Sequence, residues 1–124
     1  MSESEKVYTV EEANWLLPYL APTLVELREK FELAQSARES VARAAAGNGW
    51  SAERERWSVT MARVEELMER LAEWGIELRD IATGLVDFPA VLGGEEVYLC
   101  WRLGEPEVAW YHSRSEGFGG RRRL

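Results

Sequence analysis

Few residues in this chain could do chemistry, and their scarcity narrows what that chemistry is. There is one histidine, His112, and one cysteine, Cys100. Histidine is the side-chain type that changes charge near neutral pH and the commonest metal ligand. With Asp87, Glu105, Glu107 or Glu116 it could build a mononuclear metal site or an acid–base pair, and His112 and Glu105 are the candidate metal ligands. One histidine excludes a two-histidine motif; one cysteine excludes a multi-cysteine zinc site and an intrachain disulfide framework. Asp87 interrupts the apolar run around Leu85, Val86 and Phe88, where a carboxylate is costly unless paired or solvated. Its expected partners are Arg102 and Glu107, forming either a charge ladder that fixes register or a cluster that binds an anion or a metal. Glu105, next to Pro106, also suits a plain turn. Arg121 begins the basic end Arg121-Arg122-Arg123, behind Gly117-Phe118-Gly119-Gly120, and could reach an anionic ligand. That glycine run is not a phosphate loop, because no strand feeds it and no Lys-Ser/Thr follows. The candidate ligand-binding set is Asp87, Arg102, Glu105, Glu107, His112 and Arg121.

Two helices must hold these residues in place. Thr9-Val10-Glu11-Glu12 has the form of a capping box and starts a helix over 9–46. Pro18 and Pro22 predict a break or kink within it. Leu20, Leu24, Leu27, Phe31, Ala34, Arg38, Val41 and Ala45 then follow a heptad seam with one polar interruption. Gly47-Asn48-Gly49 stops the helix, and Ser51 caps a second one over 51–74. Its seam is Trp57, Met61, Val64, Met68 and Leu71, flanked by Leu67 and Trp74, and Gly75 ends it. The short glycine turn makes the pair an antiparallel helical hairpin.

A sheet over 76–112 follows, with three or four antiparallel strands. Ile76 to Leu78 is a short strand, and Leu85 to Leu92, Glu95 to Leu103 and Glu107 to His112 are the others. Gly93-Gly94 is a two-residue hairpin loop, so Asp87 faces Cys100 and Phe88 faces Leu99. Closing the next turn at Gly104-Glu105-Pro106 puts Leu99 opposite Trp110 and Val97 opposite His112. By that register His112 shares the apolar, helix-packed face with Val86, Phe88 and Trp101, while Asp87 and Cys100 lie on the mixed face. A histidine so placed would serve structure, bonded to a helix carboxylate such as Glu26 or Glu29. A Cys–His dyad is then disfavoured, and the carboxylate beside Cys100 would raise its thiol pKa. The predicted fold is α+β, a long helical hairpin packed on this sheet, in one domain over 1–124. The Gly/Arg-rich tail 113–124 is expected to be a flexible basic arm, the alternative being that it folds back on the acidic body.

The segment Gly84-Leu85-Val86-Asp87-Phe88-Pro89, the run from Val97 to Val108, an aromatic pair, His112 and Gly117-Phe118-Gly119-Gly120-Arg121 together resemble the bacterial family called domain of unknown function 2203. The helical half is similar in pattern, notably Thr9 to Leu17. The resemblance implies an acidic residue between the histidine and the Gly-Phe pair, a place Glu116 would fill. The family carries no established activity, so the resemblance implies no mechanism.

The charge balance is −7 over 124 residues, split into an acidic body of −10 over residues 1–112 and a short basic end. An acidic body disfavours nucleic acid as a partner. No apolar stretch has signal-peptide or membrane-spanning form, so the expected location is cytoplasmic, off the membrane. Two function classes remain. The first is a protein-interaction module that homodimerises through its heptad helices. The second is a small-molecule or metal-binding protein, a hydrolase among its forms, with a polar site on or beside the sheet. The cofactor is left open.

Overall fold

The computed structural model describes residues 6–44 and 50–124. Helix α1 spans Val10–Ala44 and helix α2 spans Trp50–Glu73. The strands are β1 (Glu77–Asp80), β2 (Leu85–Leu92), β3 (Glu95–Arg102), β4 (Trp110–Ser113) and β5 (Arg122–Arg123), with one 3₁₀ turn at Phe118–Gly120. They form a single five-stranded antiparallel meander in chain order. The architecture is α+β as the sequence predicts, with five strands rather than three or four.

The capping box forms as its residue types require. The Glu12 backbone N–H donates to Thr9 Oγ1 at 3.0 Å, and the Thr9 N–H donates back to Glu12 Oε1 at 2.9 Å. The helix then continues through Pro18 and Pro22 without a break. Thr23 Oγ1 donates to the Tyr19 carbonyl at 2.9 Å, and Asn14 Nδ2 to the Val10 carbonyl at 3.1 Å. Helix α1 buries Leu20, Leu24, Leu27 and Ala34, while Arg38 is exposed. Helix α2 buries Val64, Leu67 and Leu71 but leaves Met68 44% exposed. Leu67 thus takes a central place, because this stripe meets the sheet core as well as α1. At Gly75, φ is +76°, the Ile76 N–H reaches the Leu71 carbonyl and the Gly75 N–H reaches Ala72, a Schellman ending. The expected stop at Gly47-Asn48-Gly49 and the Ser51 cap lie outside the described residues and side chains.

The Gly93-Gly94 loop behaves as predicted, with φ of +58° and +83°, and β2 pairs with β3 in the expected register, Asp87 opposite Cys100. The next hairpin departs from expectation by one residue. Cys100 faces Trp110, Leu99 faces Tyr111 and Tyr98 faces His112. The connection is longer than a tight turn, running from Leu103 to Ala109. Within it the Glu105 N–H bonds the Arg102 carbonyl, and the Arg102 N–H bonds Glu105 Oε1 at 2.8 Å. Pro106 has no N–H to offer a ladder. The Val108 N–H donates to Asn14 Oδ1 on α1 at 2.8 Å, which holds Val108 in the core off the sheet. Because strand side chains alternate, a slip of one residue reverses every face assignment on β4. Tyr111 joins the core, and His112 moves to the outer face, beside Asp87 and Cys100.

The tail is also more ordered than a flexible arm. Its 3₁₀ turn and β5 fold back on β4, pairing Arg122 with Tyr111 and Arg123 with Trp110, and the Leu124 N–H closes on the Ala109 carbonyl.

Candidate functional site

Three adjacent strands deliver one side chain each to the outer face: Asp87 from β2, Cys100 from β3 and His112 from β4. Asp87 lies directly opposite Cys100, and His112 is its diagonal neighbour across the next pair. All three are at most 2% exposed, and their ligand-capable atoms lie within 4.8 Å of one another.

The histidine's hydrogen bonds limit its chemistry. Nδ1 is 2.7 Å from the Ser113 carbonyl oxygen, which can only accept, so Nδ1 carries a hydrogen. Nε2 lies 3.0 and 3.1 Å from the two Asp87 oxygens. A bare nitrogen lone pair and a carboxylate repel, so a proton or a metal ion must lie between them. Both ring nitrogens are therefore engaged internally. That disfavours His112 as a general base toward a substrate, which needs one nitrogen facing outward.

Asp87 has a second partner, Arg79. The β1–β2 ladder shifts between Leu78 and Asp80, and Arg79 occupies the bulge. From there its Nε donates to Asp87 Oδ2 at 2.8 Å, and its Nη2 lies 3.1 Å from Glu77 Oε1. Tyr98 OH donates to Glu77 Oε2 at 3.0 Å. Burial, reinforced by Asp87, pushes the Cys100 thiol up to about 12. At neutral pH it is a protonated thiol and a poor nucleophile.

This floor opens into a cavity of roughly 330 Å³. Leu85 and Arg79 line one side; Arg114, Ser115, Glu116, Gly117 and Phe118 from the folded-back tail line the other. Glu116 is fixed there by the Ser113 N–H at 3.3 Å and by Arg122 at 3.5 Å. The Ser113 hydrogen bonds hold its carboxyl below the usual range, with Arg122 adding to the effect.

Other sequence candidates go elsewhere. Glu105 accepts from Arg121 Nη2 at 2.9 and 2.8 Å, and the Arg121 guanidinium lies 4.9 Å from the Trp110 ring and 4.6 Å from Phe118. This pair fastens the tail and lies outside the cavity lining, so Glu105 does not join His112. Arg102 sits over the Phe118 ring at 5.2 Å rather than pairing with Asp87, and Glu107 is exposed in the β3–β4 connection. Glu26 is bound to Arg63 at 2.7 and 2.8 Å, so it is not the partner of His112. Sequence reasoning passed over Arg79 by ending the first strand at Leu78. The polar–apolar–polar run Glu77-Leu78-Arg79 is the signal that extends it.

A protein-family model described as "Uncharacterized conserved protein (DUF2203)" matches residues 6–124. No curated protein and no solved structure matches the chain.

Proposed function

The chain belongs to the DUF2203 family of uncharacterised conserved proteins, and from its own geometry we propose that it is a metal-binding protein with Asp87, Cys100 and His112 as ligands. The observation that carries this reading is the convergence of one carboxylate, one thiol and one imidazole on the floor of an open cavity. This mixed O, S and N set suits Zn²⁺, which is commonly held by three protein ligands with a fourth position left open. Ligands of a tetrahedral zinc stand roughly 3.3–3.8 Å apart, so side-chain rotations of ~1 Å would bring the three atoms into place. The surroundings match what metal ligands need. His112 donates its other nitrogen to a backbone carbonyl, and Asp87 is oriented by Arg79. Zinc held by Asp87, Cys100 and His112 with a fourth position open would supply an activated water, and hydrolysis is the reaction class such a site would serve. A thiolate ligand must stay reduced, which fits a cytoplasmic location.

Metal analysis of the purified full chain, with Zn²⁺ titrated against a chromophoric chelator, tests this. The expected result is one zinc per chain and a zinc-dependent rise in Tm. Cys100→Ser, nearly isosteric, should fold and weaken zinc by more than about 100-fold, as should His112→Ala. Zinc-independent stability with no bound metal overturns the proposal.

A second reading, homodimerisation through the hairpin, is favoured by Trp15 and Tyr19. They sit one turn apart on α1 and are 80% and 67% exposed. Two large aromatics so exposed suit a partner surface. Solution mass at micromolar concentration checks it, and a strict monomer counts against it. The reading keeps residues 1–124 as one domain. Among the described residues no helix is long and apolar enough to cross a membrane.

A further inference from the structure

Helix α1 carries an apolar stripe that its own fold leaves uncovered. Trp15, Pro18, Tyr19 and Pro22 follow steps of three and four, so they share one face, and all four are exposed. Beside the stripe, between α1 and the end of α2, lies a hollow of roughly 340 Å³. Its walls include Pro18, Tyr19, Pro22, Thr23, Arg70 and Trp74, and it has room for an indole ring. A projecting aromatic and an apolar hollow thus lie on one face of one chain, about two helical turns apart.

A two-fold axis crossing α1 between Pro18 and Tyr19 turns that offset into self-complementarity. It sets Trp15 of each copy opposite Pro22 of the other, over the hollow, with Pro18 and Tyr19 at the centre. The same operation carries Glu11, one turn before Trp15, toward the end of the hollow where Arg70 stands. Arg70 makes one long hydrogen bond there, Nη1 donating to Thr23 Oγ1 at 3.4 Å. Glu26, at the same level, is already bound by Arg63 at 2.7 and 2.8 Å. Charge selects this hollow over the wider groove on the other side of Pro18. That groove is lined in part by Leu17, Trp101, Leu103 and Glu107, and exposed Glu107 would meet the acidic first turn of a second copy.

The area is of the size a dimer needs. Burying the exposed parts of Trp15 and Tyr19 on both copies removes on the order of 600 Å² from water. The surfaces they cover lose about as much again, which reaches the lower end of specific interfaces, ~1,200 Å². Large aromatics seated in hollows are also the residues that dominate binding energy.

We infer that a second copy of this chain docks on this face, Trp15 of each copy filling the hollow beside Pro22 and Trp74 of the other, with Glu11 paired to Arg70 across the interface. The inference rests on the homodimer reading and deepens it by naming the contact.

The test uses the full chain in sedimentation equilibrium across the micromolar range, with the Tm of every variant confirming that it folds. The expected result is a reversible dimer that Trp15→Ala weakens at least tenfold. Glu11→Arg and Arg70→Glu should each weaken it severalfold, and the two together should recover most of the loss. A photo-crosslinking residue placed at position 15 identifies what Trp15 touches. In a mixture of ¹⁵N-labelled and unlabelled chains, mixed-isotope crosslinks should fall in peptides holding Pro22 or Trp74. A monomer at every concentration overturns both this inference and the homodimer reading. A dimer that is insensitive to Trp15→Ala, or that crosslinks elsewhere, overturns the docking inference and leaves the homodimer reading standing. A double variant no tighter than the single ones removes the Glu11–Arg70 pair, and with it the choice of this hollow.

Discussion

Cys100 illustrates how a residue's neighbours decide its chemistry. Its burial and the adjacent Asp87 push the thiol from 9.0 up to about 12, which lowers the thiolate fraction near pH 8 by about 1,000-fold. Iodoacetamide should therefore modify the native, metal-free protein more than about tenfold more slowly than a free cysteine, since the greater nucleophilicity of a more basic thiolate offsets only part of the lost thiolate fraction and burial slows it further. The rate should return to the ordinary value on denaturation in urea, followed by mass spectrometry. Rapid native labelling would contradict the packing around β3. At this scale the sequence was informative but incomplete. Asp87 was legible as a carboxylate that had to be paired, since it interrupts an apolar strand. Its partners were not, because Arg79 reaches it from a bulge and His112 from a shifted strand, and neither is fixed by local residue preference.

At the scale of elements, the clearest features were those settled by a few adjacent residues: the Thr9–Glu12 capping box, the Gly75 helix end and the Gly93-Gly94 loop. The β3–β4 connection resisted the same reasoning because its geometry is set by a distant residue, Asn14 on α1, which takes the Val108 N–H. The turn after β1 offers a test of how tightly the sheet edge is built. Gly84 has φ of +68°, and a Cβ there would stand 2.6 Å from Leu103 Cβ. Gly84→Ala should therefore combine left-handed backbone strain with overpacking, at a cost of about 2–5 kcal/mol. Gly93 has φ of +58° but nothing within 4 Å of its added Cβ, so Gly93→Ala should cost only about 1–2 kcal/mol. Urea midpoints of the two variants check the difference. Equal losses would mean that contact with Leu103 does not matter.

Across the whole molecule, the folded-back tail joins the cavity to the far edge of the sheet. Residues Ser115–Phe118 form one wall of the cavity, and the tail is fastened by the Glu105–Arg121 pair between Trp110 and Phe118. The sequence showed a basic, glycine-rich end, and composition of that kind describes a free arm equally well. What orders it is the fit of Arg121 against residues from β4 and the β3–β4 connection, which only the assembled sheet brings together. Arg121 is 9% and Glu105 19% exposed in their side chains, so this pair is screened far less than a surface salt bridge. Arg121→Ala leaves Glu105 without its cation and removes two aromatic contacts, which should cost about 1–3 kcal/mol. The loss should fall on the tail rather than on the helical core. Limited trypsin digestion should cut the variant at Arg114, Arg122 and Arg123 under conditions that leave the wild type intact, while Val64, Leu67 and Phe88 keep their amide protection. Opening that wall should also speed dissociation of a metal bound on the Asp87–Cys100–His112 floor. A variant that resists trypsin as well as the wild type would show that the strand pairing of Arg122 and Arg123 alone holds the tail.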